Sequence, residues 1–155
     1  MAPEEQLLAL DNQICFALYA ANRAVTARYR PLLGELGLTY PQYLVMLVLW
    51  ERDRAGIAPK VSELGQRLRL DSGTLTPLLK RLEEHGLIVR TRSAEDERVV
   101  RAELTEAGQR LRTRALSVPG QLMCGLNVEP KRLVALRQEL RSLLEALEGA
   151  QPSGQ

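Results

Sequence analysis

The chain has one histidine, His85, and two cysteines, Cys15 and Cys124, among 155 residues. It contains no CxxC pair and no Cys/His cluster, so the usual zinc spacings are absent, and with a lone histidine no metal or cofactor is expected. Two cysteines so far apart cannot build the disulfide framework of a small secreted domain. No stretch approaches ~18 uninterrupted apolar residues, which excludes a membrane-spanning helix. The opening "MAPEEQLLALDNQ" carries acids where an export signal carries positive charge, and its apolar run breaks early. A cytoplasmic protein is expected, with its cysteines resting as thiols. Charge imbalance is missing too. The net charge is +2, so any electrostatic signal must come from where the charges sit. No internal repeat is found. What remains is one chain of ordinary domain size, 45% apolar, enough for a real core.

Hydrophobic spacing makes most of it helical. Leu7, Leu10, Ile14, Leu18 and Val25 recur on one helical face, and Pro31 and Gly34 mark an end or a bend. In "LTYPQYLVMLVLWERDR", Thr39 caps a second helix with Gln42 at capping-box spacing. The run Tyr43 to Trp50 is apolar all round, which places that helix at the centre of the domain. Ser62 is expected to cap a short helix, "ELGQRLRL". Asp71 or Ser72 caps another, "DSGTLTPLLKRLEEHG", which buries Leu75, Leu78, Leu79 and Leu82 and closes at Gly86. Pro77 predicts a bent or 3₁₀-like first turn there. "LIVRTR" and "RVVRAEL" alternate with period two around a turn-prone "SAEDE", so a β-hairpin follows. Thr105 and Glu106 open a long helix reaching about Met123. A last helix carries Leu133, Leu136, Leu140, Leu144 and Leu147 near heptad spacing.

Helix, tight turn, helix and basic hairpin make a winged helix-turn-helix, a mainly α fold with a small β-hairpin wing. The second helix offers Ser72, Thr74 and Thr76 at its N-terminus, suited to phosphate oxygens and base edges, with Lys80 and Arg81 further on. The hairpin carries Arg90, Arg92, Arg98 and Arg101, a slim basic finger fit for a minor groove. Any one of these arginines also fits an ordinary solvated face; it is the ordered arrangement that points to double-stranded DNA. His85 reads as a helix-end residue. The terminal helices have apolar faces that the small central domain does not cover, and the last one asks for a partner helix. A homodimer with two wings on two operator half-sites is the economical solution.

The stretch "VSELGQRLRLDSGTLTPLLKRLEEHGLIVRTRSAEDERVVRAELTEAG" resembles the core of the MarR family of dimeric bacterial regulators, and the likeness extends from Asp11 to Leu147. "GLIVR", the "DER" of the wing and "LTEAG" carry it. The resemblance implies that Arg98 enters the minor groove and that Asp96 helps to orient it. "LDNQICFALYAANRAVTARYRPLLGELGLTYPQYLVMLVLWE" is similar to the organic hydroperoxide resistance regulators within that family. That likeness implies a reactive Cys15, with Tyr29 and Tyr40 hydrogen-bonding its sulfur. Tyr19, one turn beyond Cys15, looks like a further member of the sensor pocket. Cys124 resembles the resolving cysteine of the two-cysteine type.

The implied domain plan is 1–35 for an N-terminal dimerisation helix, 36–104 for the winged helix-turn-helix, 105–149 for C-terminal dimerisation helices and 150–155 for a frayed tail. Phe16, Leu18 and Leu44 or Val45 are expected to give the thiol an apolar surround that favours organic hydroperoxides. The implied function is a repressor, not an enzyme. Oxidation of Cys15 to a sulfenic acid, then a disulfide to Cys124 of the other subunit, releases it from its operator. Taken alone, Cys15 is more simply a helix-packing residue. Two other readings stay open: a regulator controlled by a small aromatic ligand with Cys15 in the pocket wall, and, more remotely, a thiol peroxidase.

Overall fold

The computed structural model describes residues 3–150, so most of the expected tail, 151–155, lies outside the described residues. The chain divides into two compact units, Met1–Leu122 and Met123–Gln155. Among the described residues no helix is long and apolar enough to cross a membrane.

The N-terminal segment is not the single amphipathic helix that its leucine spacing predicts. It forms α1 (Pro3–Leu7), a 3₁₀ turn (Leu10–Asn12) and α2 (Ile14–Gly34). Side-chain amides cause the break. Gln13 Nε2 donates to the Leu7 carbonyl at 2.6 Å, and Asn12 Nδ2 donates to the Gln6 carbonyl at 2.8 Å. These bonds take acceptors that a continuing helix would use. α2 runs through Pro31, where one backbone bond is missing, and ends at Gly34.

α3 (Tyr40–Arg54) is the centre of the first unit. The Thr39 side chain accepts from Gln42 N, and the Gln42 side chain accepts from Thr39 N at 3.0 Å, completing the capping box. Tyr43, Val45, Met46, Val48, Leu49 and Trp50 are all buried. Leu33 packs on them from α2, and the rest of the core comes from the DNA-binding module and the helices after it. Each such side chain contributes roughly 1.5–3 kcal/mol on burial, so α3 holds the unit together.

α4 (Val61–Leu68) begins two residues earlier than the Ser62 cap predicts. Its N-cap is Lys60, which makes no side-chain cap bond. Lys60 ends an extended segment that bridges Arg101, with Ala102 N donating to the Pro59 carbonyl at 3.0 Å. The chain can therefore turn into a helix directly. The turn to α5 (Ser72–Glu84) passes through Arg69 at φ 55, a left-handed conformation that glycine adopts more readily. Asp71 is the N-cap of α5 and accepts from Thr74 N at 2.8 Å.

The 3₁₀-like first turn that Pro77 offers as one possibility is absent, and α5 is continuous α-helix. Pro77 lies just beyond the first turn, where its ring removes only the bond to the exposed Gly73 carbonyl. Gly86, at φ 72, ends this segment. β1 (Ile88–Arg92) and β2 (Val100–Leu104) pair antiparallel, with Ile88 opposite Leu104 and Arg92 opposite Val100.

The long helix expected to reach Met123 is two helices, α6 (Glu106–Ala115) and α7 (Val118–Met123). The chain turns at Leu116 and Ser117, and Pro119 falls in the first turn of α7, where its missing N–H costs no helical bond and favours a fresh helix start. In the second unit, α8 (Pro130–Gly149) buries none of its residues. Its leucines 133, 136, 140 and 144 border one shallow apolar cleft.

One junction ties the wing to the core. Trp50 Nε1 donates to the Gly108 carbonyl at 2.9 Å. A Cβ on Gly108 would run into the Leu87 carbonyl oxygen, so only glycine lets α6 lie this close to the root of the wing. Gly108→Ala is expected to destabilise the protein by ~1–3 kcal/mol. The check is a lower urea midpoint with an unchanged slope.

Candidate DNA-binding surface and thiol site

The N-cap places the polar side chains of α5. With Asp71 fixed on Thr74 N, the residues Ser72, Thr74, Thr76, Lys80 and Arg81 are all exposed, while Leu75, Leu79 and Leu82 point into the core. The hydrogen bonds from Thr74 and Gly73 hold the Asp71 carboxyl below its usual range, so it is ionised at neutral pH.

The wing arginines divide into two pairs. Arg90 Nε donates to Glu83 Oε2 at 2.7 Å, a bond from the strand to α5. Arg101 Nη1 donates to the Ala58 carbonyl at 2.7 Å. These two hold the wing in place and are poorly placed to project as a basic finger. Arg92 and Arg98 are exposed at the outer end of the hairpin. Arg92 Nη1 donates to the Glu97 carbonyl at 3.1 Å, across the turn. Arg98 is 95% exposed, with Asp96 Oδ1 3.9 Å from its Nε. The same carboxylate accepts from Arg98 N at 3.1 Å, so Asp96 shapes the tip as well as facing the guanidinium. The Glu83–Arg90 pair is not legible in the sequence because its partners meet only when the strand folds back on the helix.

Cys15 lies in the first turn of α2 and is exposed. Phe16 and Tyr19 are 39% and 59% exposed beside it, and the Arg23 guanidinium sits 5.5 Å from the Tyr19 ring centroid. Tyr29 and Tyr40 stack with ring centroids 4.9 Å apart, and Tyr43 is 5.7 Å from Tyr29. Burial, then the neighbouring Tyr43 and Tyr40, push the Tyr29 phenol up to about 12. At neutral pH it is therefore a hydrogen-bond donor.

This tyrosine pair does not meet Cys15 within one protomer. Cys15 and Tyr29 lie on the same helix, fourteen residues apart, which is about 21 Å of helical rise. Of the expected apolar surround, Val45 is wholly buried in the core and cannot line the thiol. Cys124 is exposed, one residue beyond α7 and just before Gly125 at φ 80. Among the described residues no group of three His, Cys, Asp or Glu is placed to hold a metal ion.

Residues 27–114 match the family model for the transcriptional regulator SarA/Rot. The organic hydroperoxide resistance transcriptional regulator of Bacillus subtilis is 47% identical over 140 residues, covering 90% of this chain and 92% of that protein. Among solved structures, reduced AbfR bound to DNA superposes with a TM-score of 0.79 at 33% identity, over 95% of this chain and 99% of that one. Disulfide-formed AbfR superposes at 0.62 with 35% identity, over 91% and 96%. AbfR comes from Staphylococcus epidermidis. With a winged helix-turn-helix of this geometry and relatives this similar along nearly its whole length, the chain belongs to the MarR-type winged-helix family of DNA-binding transcriptional regulators, alongside the organic hydroperoxide resistance regulators.

Proposed function

We propose that this chain is a homodimeric cytoplasmic repressor that organic hydroperoxides release from its operator through oxidation of Cys15. The observation that carries the reading is the exposed Cys15, flanked by Phe16 and Tyr19 on a face of α2 that the protomer leaves uncovered. In its support, the 47% identical relative is an organic hydroperoxide resistance regulator. The fold also lies nearer to reduced, DNA-bound AbfR than to the disulfide-formed state, 0.79 against 0.62. Two such states are what a redox switch requires.

On this reading the sensor is assembled by the dimer. The ~21 Å along α2 means that any Tyr29 and Tyr40 phenols reaching the Cys15 sulfur are those of the partner subunit. The raised Tyr29 pKa keeps that phenol protonated, ready to donate to a thiolate and favour its charged form. The Cys15 thiolate attacks one peroxide oxygen, the O–O bond breaks, and the alkoxide leaves and takes a proton as the alcohol. Cys15 is then a sulfenic acid. The Cys124 thiolate of the other subunit attacks that sulfur, a disulfide forms, and the hydroxyl leaves as water. The bond requires sulfurs about 2.05 Å apart. Closing it moves the helices that space the two α5 helices, and misplaced half-sites lose DNA affinity. On the DNA side, Ser72, Thr74, Thr76, Lys80 and Arg81 face the major groove, and Arg92 and Arg98, oriented by Asp96, face the minor groove.

A second reading has one observation behind it. A cleft of about 590 Å³ is lined by Tyr43, Leu47 and Trp50, with Arg54 and Arg112 among its walls, a setting that suits an aromatic carboxylate. Release of Cys15→Ser from DNA by such a ligand, with no response of the wild type to hydroperoxide, would favour it.

Cys15→Ser is expected to bind DNA within about twofold of wild type, since the site is exposed and the change is one atom. It should stay bound after one equivalent of cumene hydroperoxide. Release equal to wild type in an anisotropy titration would sink thiol sensing. Cys124→Ser should still form the Cys15 sulfenic acid but give no covalent dimer on a non-reducing gel. A peroxide-induced dimer persisting in that variant removes Cys124 from the pathway.

A further inference from the structure

A winged helix-turn-helix on B-form DNA puts its recognition helix in the major groove and its wing in the adjacent minor groove. The sugar-phosphate ridge dividing those grooves must then pass between the start of the recognition helix and the wing tip. In this chain that place is a cleft of about 690 Å³, with Ser72 of α5 on one side and Arg98 of the wing on the other. Between them lie Lys60, Ser62 and Arg69, residues from the base of α4 and from the turn.

The charges in this cleft suit a phosphate. Three of its side chains are cationic: Lys60, Arg69 and Arg98. Its anionic member, Asp71, is already hydrogen-bonded to Thr74 N as the cap of α5. Arg69 is the one non-glycine residue with positive φ among the described residues, and it is exposed. Glycine would hold that backbone with less strain; a guanidinium stands there instead. Lys60 is held from behind, because its backbone bridges Arg101 of β2.

We infer that Lys60 and Arg69 clamp the DNA backbone ridge between the two grooves, given the proposed placement of α5 and the wing on DNA. Both side chains meet phosphate, so they set affinity and register without reading bases.

The test uses two duplexes in anisotropy titrations across a range of salt: one of mixed sequence, and one selected by the wild-type protein from a random pool. Arg69→Gly removes the guanidinium and relieves the backbone, so its melting temperature should equal or exceed that of wild type. Its affinity should fall for both duplexes by the same factor, roughly five- to tenfold near 0.1 M salt, and the slope of log K against log salt should drop by about 0.9 for each phosphate no longer neutralised. Lys60→Gln should behave alike, and Lys60→Arg should retain binding.

If Arg98→Ala weakens binding while Arg69→Gly and Lys60→Gln change neither affinity nor slope, the clamp is wrong and the wing placement stands. If Arg98→Ala and Thr76→Ala also leave binding unchanged, DNA does not lie on this face and the clamp falls with that placement. A weakening confined to the selected duplex also overturns the inference, because it would mean base reading.

Discussion

The close approach of α6 to the root of the wing is the packing on which the DNA-binding half depends. Gly108 has no side chain, so its backbone can lie against the Leu87 carbonyl, and the Gly108 carbonyl then accepts from Trp50. Trp50 belongs to the buried helix α3, and Leu87 leads into the first strand of the wing. Thr105 adds a second tie, its Oγ1 donating to the Gly86 carbonyl at 2.6 Å where α5 ends. Core helix, recognition helix and wing are thereby fixed at one point. A helix-turn-helix is useful only if its reading elements hold a constant spacing, and here the spacing follows from backbone packing that side-chain rotamers cannot loosen.

Arginines do two jobs around that frame. Arg90 and Arg101 commit their hydrogen bonds to Glu83 and the Ala58 carbonyl, which holds the hairpin in place. Both are half-buried, so these bonds are screened less than those of fully exposed pairs. Arg92 and Arg98 stand at the outer end. A basic hairpin is thus half strut and half finger, and the proposed phosphate clamp at Lys60 and Arg69 extends the finger's electrostatics back toward the turn.

The thiol site follows a different logic. Its parts lie apart in a single protomer because one long helix carries both Cys15 and Tyr29. A rigid α-helix cannot fold its own first turn back on its sixteenth residue. On the proposed reading, the helix that separates the sulfur from the phenols also makes sensing a property of the dimer. The oxidation signal then arises where the two subunits meet, at the place best able to alter the spacing of two recognition helices.

Local chemistry was legible in the chain itself. The capping box at Thr39, the Asp71 cap, the closing Gly86, the all-round apolar α3 and the alternating strands each depend on a few neighbouring residues, and all are found where the spacing predicts. The winged helix-turn-helix follows from their order. Departures arose where a distant or easily overlooked partner intervened: Gln13 and Asn12 taking helix carbonyls, Pro119 favouring a fresh helix start at α7, and Pro59–Lys60 pairing with β2 so that α4 starts before Ser62. Amino-acid order alone determined which residues could cap, alternate or ionise. Tertiary structure decided which arginines are already committed, which tyrosines stack, and that Cys15 cannot meet Tyr29 in its own protomer, because those outcomes depend on distances between elements far apart along the chain.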